Sequence, residues 1–266
     1  MSYRTALSHA MSSVIESGAE RVRTHGVFPR ASVAALGHSG LLALTVSAEL
    51  GGQGLGLAEA AEVVAEVSRA CPATGAVLRS HYAAVAVIEA HGIHWVRRKI
   101  ATGHHLSTLA LAEAVESGER GAPPGPPSTA TRTGDVVALR ARKHNVVGAG
   151  EADSYVWSSR PADGRGGLTL WLVPADAPGL FVPARPDGEG PRGSASSTVR
   201  ADPVLVPAGA MLGPSGGGIG TVLGAVLPWL AALPAPGAAA ARPVAAEVRA
   251  QPPAHGASWG LERHAP

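Results

Sequence analysis

Three short motifs contain residue types that could bind a ligand or catalyse a reaction. Residues 51–56 read Gly-Gly-Gln-Gly-Leu-Gly ahead of a predicted helix, so their backbone amides could surround a pyrophosphate. Residues 213–217 match the Gly-x-Ser-x-Gly turn that exposes a nucleophilic serine in many hydrolases. His91 and His94 lie about one helical turn apart, close to the histidines at 104–105, a spacing that could begin a metal site.

The surroundings of these motifs favour structural roles. The glycine run does not satisfy Gly-x-Gly-x-x-Gly, and residues 76–80 contain no acid that could hold a ribose hydroxyl. Only His255 and His264 follow Ser215, both in a low-complexity segment, so no base is placed for a hydrolase. A closed zinc site needs four ligands, and the histidines have no third ligand placed beside them. We therefore expect glycine-rich connections and solvated histidines at helix ends.

Composition and charge argue against several function classes. The formal net charge is +2, and the basic residues are scattered rather than aligned on one face, which gives little support for a nucleic-acid partner. The single Cys71 excludes an internal disulfide. Residues 1–10 lack the basic start and apolar run of a secretory signal, so we expect a cytoplasmic protein.

One stretch needs to be tested as a membrane span, because residues 211–241 contain no charged side chain. Its apolar part, residues 219–233, is shorter than the roughly 20 residues that cross a bilayer, and Pro228 interrupts it. We therefore predict no membrane partner for this chain.

The first 105 residues have the periodicity of helices. Residues 4–24 place Leu7, Met11 and Val14 at helical spacing, and further helices are predicted at 29–40, 57–70, 72–90 and 94–102. The helix at 72–90 is apolar on nearly all sides, which predicts a central position in the helical layer.

After residue 105 the pattern changes to that of strands. The β-rich runs are bounded by Gly, Pro and Asp, which is typical of antiparallel strands; they lie at 106–112, 135–142, 154–160, 168–173 and 198–206. Residues 117–129 are rich in Pro and Gly and predict a loop. A final apolar helix is predicted from Ile219 to Leu233.

This order of elements predicts an α+β fold. The predicted units are an N-terminal all-helical domain (1–105), a small antiparallel β-barrel or sandwich (106–212), a remnant C-terminal helical segment (213–250) and a disordered tail (251–266).

Five blocks of sequence, taken in order, point to one family. They are residues 28–54, Ser80-His81-Tyr82, residues 106–113, residues 142–155 and residues 192–213. The third block is similar to a strand that ends in Thr-Glu-Pro, and the fourth to a strand that contains Trp-Ile-Thr. Together the blocks resemble the acyl-CoA dehydrogenase family of flavoproteins, because their order and spacing are more specific than any single block.

The resemblance implies a cofactor, a reaction and a set of site residues. Such enzymes bind FAD between the barrel and a C-terminal bundle of four helices, and they remove the α-proton and β-hydride of an acyl thioester. The cofactor-binding residues implied by the resemblance are Leu111, Ala112, Glu113, Ser117, Gly118, Asn145, Val146 and Val147.

The implied site departs from the family pattern at several positions. Ala112 and Val147 stand where the family has Thr, and Asn145 stands where it has Trp. Residues 216–246 contain no acid that could replace the family's catalytic Glu, so no catalytic residue is assigned and the bundle that supplies it is expected to be largely missing.

Two functions follow from these features. The first is FAD-dependent α,β-dehydrogenation of an acyl thioester, CoA-bound or carrier-bound, with the base supplied by another chain of a homo-oligomer or a complementing subunit. The alternative is a catalytically inactive paralogue that acts as a partner subunit or is a non-functional remnant. A third interpretation is a shifted reading frame in the proline-rich loop and the tail.

Overall fold

The computed structural model describes residues 2–113, 128–162, 164 and 167–235. Its first hundred residues form a layer of helices. Those helices are α1 (Tyr3–Ala10), α2 (Glu16–His25), α3 (Arg30–His38), α4 (Leu57–Ala70), α5 (Pro72–His91) and α6 (His94–Ala101). A π-helical turn at Met11–Ile15 joins α1 to α2, so the helix predicted at 4–24 is continuous.

The long helix α5 is the centre of this layer. Pro72 occupies its first turn, where a missing N–H costs no hydrogen bond, and fourteen of its twenty residues are buried. It packs against α4 on one side and against the first strand on the other. The prediction of a central helix at 72–90 is therefore confirmed.

Eight strands follow the helical layer and form two four-stranded sheets. The strands are β1 (Ser107–Ala110), β2 (Thr129–Thr133), β3 (Val136–Val146), β4 (Ser154–Ser159), β5 (Thr169–Pro174), β6 (Leu180–Phe181), β7 (Ser197–Pro207) and β8 (Met211–Leu212). One sheet has the order β1-β4-β5-β8 and the other β2-β3-β7-β6. Side chains from both sheets contribute to one large hydrophobic core that they share with the helices.

The α+β prediction is confirmed, with differences in detail. β1 and β4 pair in parallel, with Ser107 opposite Ser154, although all strands were expected to be antiparallel. The long connection between them passes through the second sheet, so the chain returns to β1 in the same direction. Residues 41–46, which connect α3 to the glycine run at 51–56, form consecutive turns.

A last run of helix follows the strands. It consists of α7 (Gly218–Thr221), a π-helical turn at Val222–Val226 and α8 (Leu227–Ala232), and it packs against α5. The helix predicted from Ile219 is therefore present. Within the described ranges, no helix is long and apolar enough to cross a membrane.

Candidate functional site

An open cleft of about 510 Å³ lies where α5 faces the ends of β1 and β3. Five segments form its walls. The lining residues are Ala76, Arg79, Ser80, Leu109, Leu111, Ala112, His144, Asn145, Val147, Glu189, Gly190, Pro191, Ser196 and Leu230. Two further described clefts, of about 510 and 480 Å³, are lined by none of the site residues predicted from the sequence. The first cleft is therefore the candidate site.

Polar side chains of α5 hold β1 in place along the free edge of that strand. Ser80 Oγ accepts a hydrogen bond from Leu109 N–H at 3.1 Å, and His81 Nδ1 accepts one from Ser107 N–H at 3.2 Å. An edge strand exposes unpaired backbone groups, which here find partners on the helix. As a result, the chain emerging from β1 enters the cleft at a fixed position.

The imidazole of His81 joins three segments of the chain. It is fully buried, and its Nε2 lies 2.9 Å from Leu42 O, which fits the neutral tautomer with the proton on Nε2. Burial lowers the pKa of His81 to about 4, although two carbonyls favour the charged form, Leu42 O and Ser107 O, the latter 3.1 Å from Nδ1. The neighbouring Tyr82 hydroxyl donates to Leu41 O at 2.7 Å. This part of α5 is structural.

An ion pair between a buried lysine and an exposed glutamate fixes the segment that follows β1. Lys143 Nζ lies 2.7 Å from Glu113 Oε1 and 2.7 Å from Ser158 Oγ, and Ser158 donates to Leu111 O at 3.0 Å. The Lys143 side chain is completely buried, and this burial lowers its pKa. Burial alone would raise the pKa of Glu113, but the hydrogen bond and charge of Lys143 bring it below its ordinary value.

The end of β3 meets the end of β1 at the floor of the cleft. His144 N–H donates to Ala112 O at 2.9 Å, which joins strands of two different sheets. Asn145 adopts a left-handed backbone conformation with φ of 52°, and its Oδ1 accepts from Glu189 N–H at 2.8 Å. Asn tolerates that conformation better than most residues. The Asn145 side chain therefore positions the loop that forms the opposite rim.

One polar atom in the cleft wall has no partner among the described residues. His144 Nε2 is buried from solvent and makes no hydrogen bond there. Burial and the nearby Arg142 lower the pKa of His144, against the opposing charge of Asp187. An unpaired buried polar atom is costly, so its presence in a cleft marks a position where a ligand atom would be stabilised.

The structure places the predicted site residues in three groups. Leu111, Ala112, Asn145 and Val147 come together in the cleft. Glu113 belongs to the ion pair behind the cleft, and Val146 is fully buried in the hydrophobic core. Ser117 and Gly118 lie outside the described residues.

Sequence reasoning missed Arg79, His144 and Leu230, which also line the cleft. Arg79 had a signal, because it is the one guanidinium in a helix that is otherwise nearly all apolar. His144 had no such signal, because strand alternation places it on the face opposite its neighbour Asn145. Both line the cleft because Asn145 departs from strand geometry, with φ of 52°.

Of the other motifs, the glycine run has a structural role, and the histidines at 91, 94 and 104 are solvated as expected. His105 is not solvated: it is buried, and its Nε2 lies 2.9 Å from Ser154 Oγ. At residues 51–56 the Glu59 carboxylate accepts from Gly56 N–H at 3.0 Å, which puts a negative charge where a pyrophosphate would have to bind. Gly52 packs directly on the Val46 backbone and leaves no room for a side chain. Ser215 is exposed on the turn before α7. In the part of the chain that the structure describes, no group of three metal-ligating side chains comes together.

Comparison with known proteins identifies relatives for most of the chain. Residues 2–104 match the family described as acyl-CoA dehydrogenase, N-terminal domain. The human mitochondrial short-chain specific acyl-CoA dehydrogenase is 31% identical over 208 residues, which cover 75% of this chain and 50% of the human protein. The chain therefore spans about half the length of this curated relative.

Solved structures share the fold. The acyl-CoA dehydrogenase of Geobacillus kaustophilus superimposes with a TM-score of 0.72 at 20% identity, covering 84% of this chain and 60% of that one. FMN-bound TdsC from Paenibacillus sp. A11-2 superimposes with a TM-score of 0.71 at 22% identity, covering 82% and 55%. At these identities the likeness establishes the arrangement of helices and sheets.

Proposed function

Because the chain belongs to the acyl-CoA dehydrogenase family, we propose that its cleft binds the ring system of a flavin, in the form of FAD. The observation that supports this most strongly is the meeting of the β1 and β3 ends, where His144 N–H bonds Ala112 O and four of the predicted contacts line one cavity. A volume of about 510 Å³ lies within the range of cofactor sites.

The residues present fit a flavin ring. Such a ring has an apolar end and a pyrimidine end rich in hydrogen-bond acceptors. Leu109, Leu111 and Leu230 offer apolar contact, while His144 Nε2 and the Asn145 carboxamide nitrogen can donate. The small side chain of Ala112 leaves the floor of the cleft open.

The proposed reaction is α,β-dehydrogenation of an acyl thioester. A bound flavin would supply the acceptor for the β-hydride. The chain's own contribution is to hold the ring at the strand ends and to exclude water from it with Ala76 of α5 and Leu230.

Removal of the α-proton needs a base. Among the residues that line the described cleft, Glu189 is the one carboxylate, and it is exposed at the rim. We therefore assign the base to a carboxylate outside these walls, on a further segment or on another subunit of an oligomer.

A second candidate function is that of a flavin-binding or accessory subunit without turnover. This function is favoured by the helical run from α7 to α8. Among its residues, Leu230 is the one that lines the described cleft, and the run contains no acidic side chain that could act as the base. In that case the chain would bind a partner subunit that completes the site.

The test is a titration of the full chain with FAD and, separately, with FMN, followed by absorbance at 350–550 nm, a range that covers flavin absorption in general. FAD binding with a perturbed spectrum supports the proposed site, and reduction of the bound flavin by acyl thioesters then separates the enzyme from the accessory subunit. Preferential binding of FMN would correct the cofactor. Failure to bind either flavin would contradict the proposal.

A further inference from the structure

Arg79 brings a positive charge into the wall of an otherwise largely apolar cleft. It lies on α5, partly buried, beside Ala76 and Ser80. Its Nε donates to Leu233 O at 3.2 Å and its Nη2 donates to Leu230 O. These carbonyls stand at the C-terminal end of α8, where the helix dipole is negative and orients a cation.

The guanidinium has no carboxylate partner among the described residues. The arginines that do form ion pairs there include Arg97, which binds both oxygens of Glu89 at 2.8 and 2.9 Å. Arg79 uses two of its five N–H groups on backbone carbonyls, so other donors are left for a ligand. Burial lowers its pKa, yet a guanidinium stays charged at neutral pH.

The charge is not neutralised by the cleft itself. The groups near Arg79 on the helical wall and on β1 are Ala76, Leu109 and Leu111, with Ser80 bonded to the strand. Glu189 belongs to the loop that Asn145 holds at the opposite rim, and it is exposed. A buried or partly buried cation without a counterion is unfavourable, so an anion that enters the cleft would be stabilised there.

We propose that Arg79 recognises a carboxylate at the far end of the acyl group, so that the substrate class is the monothioester of a dicarboxylic acid. This inference rests on the proposed function, because it takes the strand ends as the flavin wall and α5 as the wall of the acyl chamber. The fork of N–H donors on the Arg79 guanidinium suits the two oxygens of a carboxylate.

The test compares two thioesters that differ only at the end of the acyl group. Glutaryl-CoA and pentanoyl-CoA have the same number of acyl carbons, and the CoA phosphates are common to both, so the ratio of their dissociation constants isolates the carboxylate. Adipyl-CoA and hexanoyl-CoA repeat the comparison with a chain longer by one methylene. Binding is measured by calorimetry to the flavin-loaded full chain and to Arg79→Gln, Arg79→Lys and, as the control, Arg98→Gln. Arg98 is exposed on α6 outside the cleft.

For at least one of the two pairs, the wild-type chain and the control variant are expected to bind the thioester with the terminal carboxylate about 10-fold or more tightly than the thioester without it. Arg79→Gln should abolish that preference, and Arg79→Lys should retain part of it. Because each ratio is measured within one protein, a general loss of folding does not imitate the effect. Equal affinities in the wild type, or a preference that survives in Arg79→Gln, would overturn the role of Arg79 and leave the proposed function intact. Failure to bind any of the four thioesters would contradict both.

Discussion

The two walls of the cleft use polar residues in opposite ways. On the helical side, Ser80 in the wall and the buried His81 and Tyr82 beside it each hydrogen-bond to the backbone of another segment. Among the described lining residues of α5, only Arg79 has side-chain N–H donors left for a ligand. On the strand wall, His144 Nε2 has no partner among the described residues and Ala112 leaves an open floor. The difference separates residues that maintain the shape of the cleft from residues that are free to contact a ligand.

Ala112, Asn145 and Val147 all belong to the strand wall. Ala112 and Asn145 lie outside the hydrophobic core, and Val147 is partly buried at its edge. A substitution at His81 would instead remove the hydrogen bonds that join α5 to β1 and to the turns at 41–46. Stability and binding should therefore respond to different residues.

The largest effect is expected from His81→Ala. The substitution leaves a cavity and removes the partners of Leu42 O and Ser107 N–H, which should lower the free energy of unfolding by about 3 kcal/mol or more. His144→Ala on the strand wall is the matched control and should cost less than about 1 kcal/mol, because no hydrogen bond of its ring is lost. Urea unfolding followed by tryptophan fluorescence measures both. Equal losses in the two variants would remove the distinction between the walls.

Acid should destabilise the helical wall through the same residue. The pKa of His81 is about 4 in the folded chain, while an unfolded histidine has a pKa of about 6.5, so the unfolded state binds more protons between these values. The stability from neutral His81 is therefore complete above about pH 6.5 and is lost as the pH falls to about 4, by about 3 kcal/mol in all. Urea midpoints at several pH values should fall more steeply in the wild type than in His81→Gln. Parallel slopes would show that His81 is not the titrating group.

An intermediate effect is expected behind the strand wall, where Glu113 neutralises the buried Lys143. Glu113→Gln leaves that ammonium without a counterion and should lower the free energy of unfolding by about 2 kcal/mol. The double variant Glu113→Gln, Lys143→Met should recover much of this loss, because no buried charge is left. Glu20→Gln is the control, since the ion pair of Glu20 with Arg23 is exposed to solvent and its loss should change stability far less than Glu113→Gln does. If the double variant were no more stable than Glu113→Gln, the loss in Glu113→Gln would not come from an uncompensated charge on Lys143.

The smallest effect concerns binding. Val147→Thr adds a hydroxyl to the strand wall and should tighten flavin binding about fivefold, equivalent to about 1 kcal/mol. Val136→Thr adds the same group at an exposed position at the start of β3 and should leave affinity unchanged. Fluorescence titration with FAD compares them. An unchanged affinity in Val147→Thr would show that residue 147 does not face the flavin.

Much of the fold could be predicted because it depends on local periodicity. The helices near 57–70, 72–90 and 94–102 and the strands at 154–160 and 168–173 all lie close to their predicted positions. The parallel pairing of β1 with β4 could not be predicted, since it depends on which strands meet across the sheet. The short strands β6 and β8 gain their partners only in the folded chain.

The site was predicted only in part. A resemblance to a family indicates which sequence positions correspond, but it does not indicate which residues hydrogen-bond to one another in this chain. Ala112, Asn145 and Val147 were placed by their position in the strand blocks, and the structure brings them into one cleft. The bond between Asn145 and Glu189 N–H depends on a loop more than forty residues later, which no local pattern reports. Arg79 was overlooked because a single charge on an apolar helix is usually solvated.

Filling the cleft between α5 and the strand ends tests most directly whether this cleft is the flavin site. Ala112 is exposed at the cleft floor, so Ala112→Trp fills the space without disturbing the core. Ala130→Trp fills the separate cleft of about 480 Å³ beside β2 and is the control. FAD titrations should show affinity reduced about 10-fold or more by Ala112→Trp and unchanged by Ala130→Trp. Undiminished FAD binding by Ala112→Trp would contradict the account.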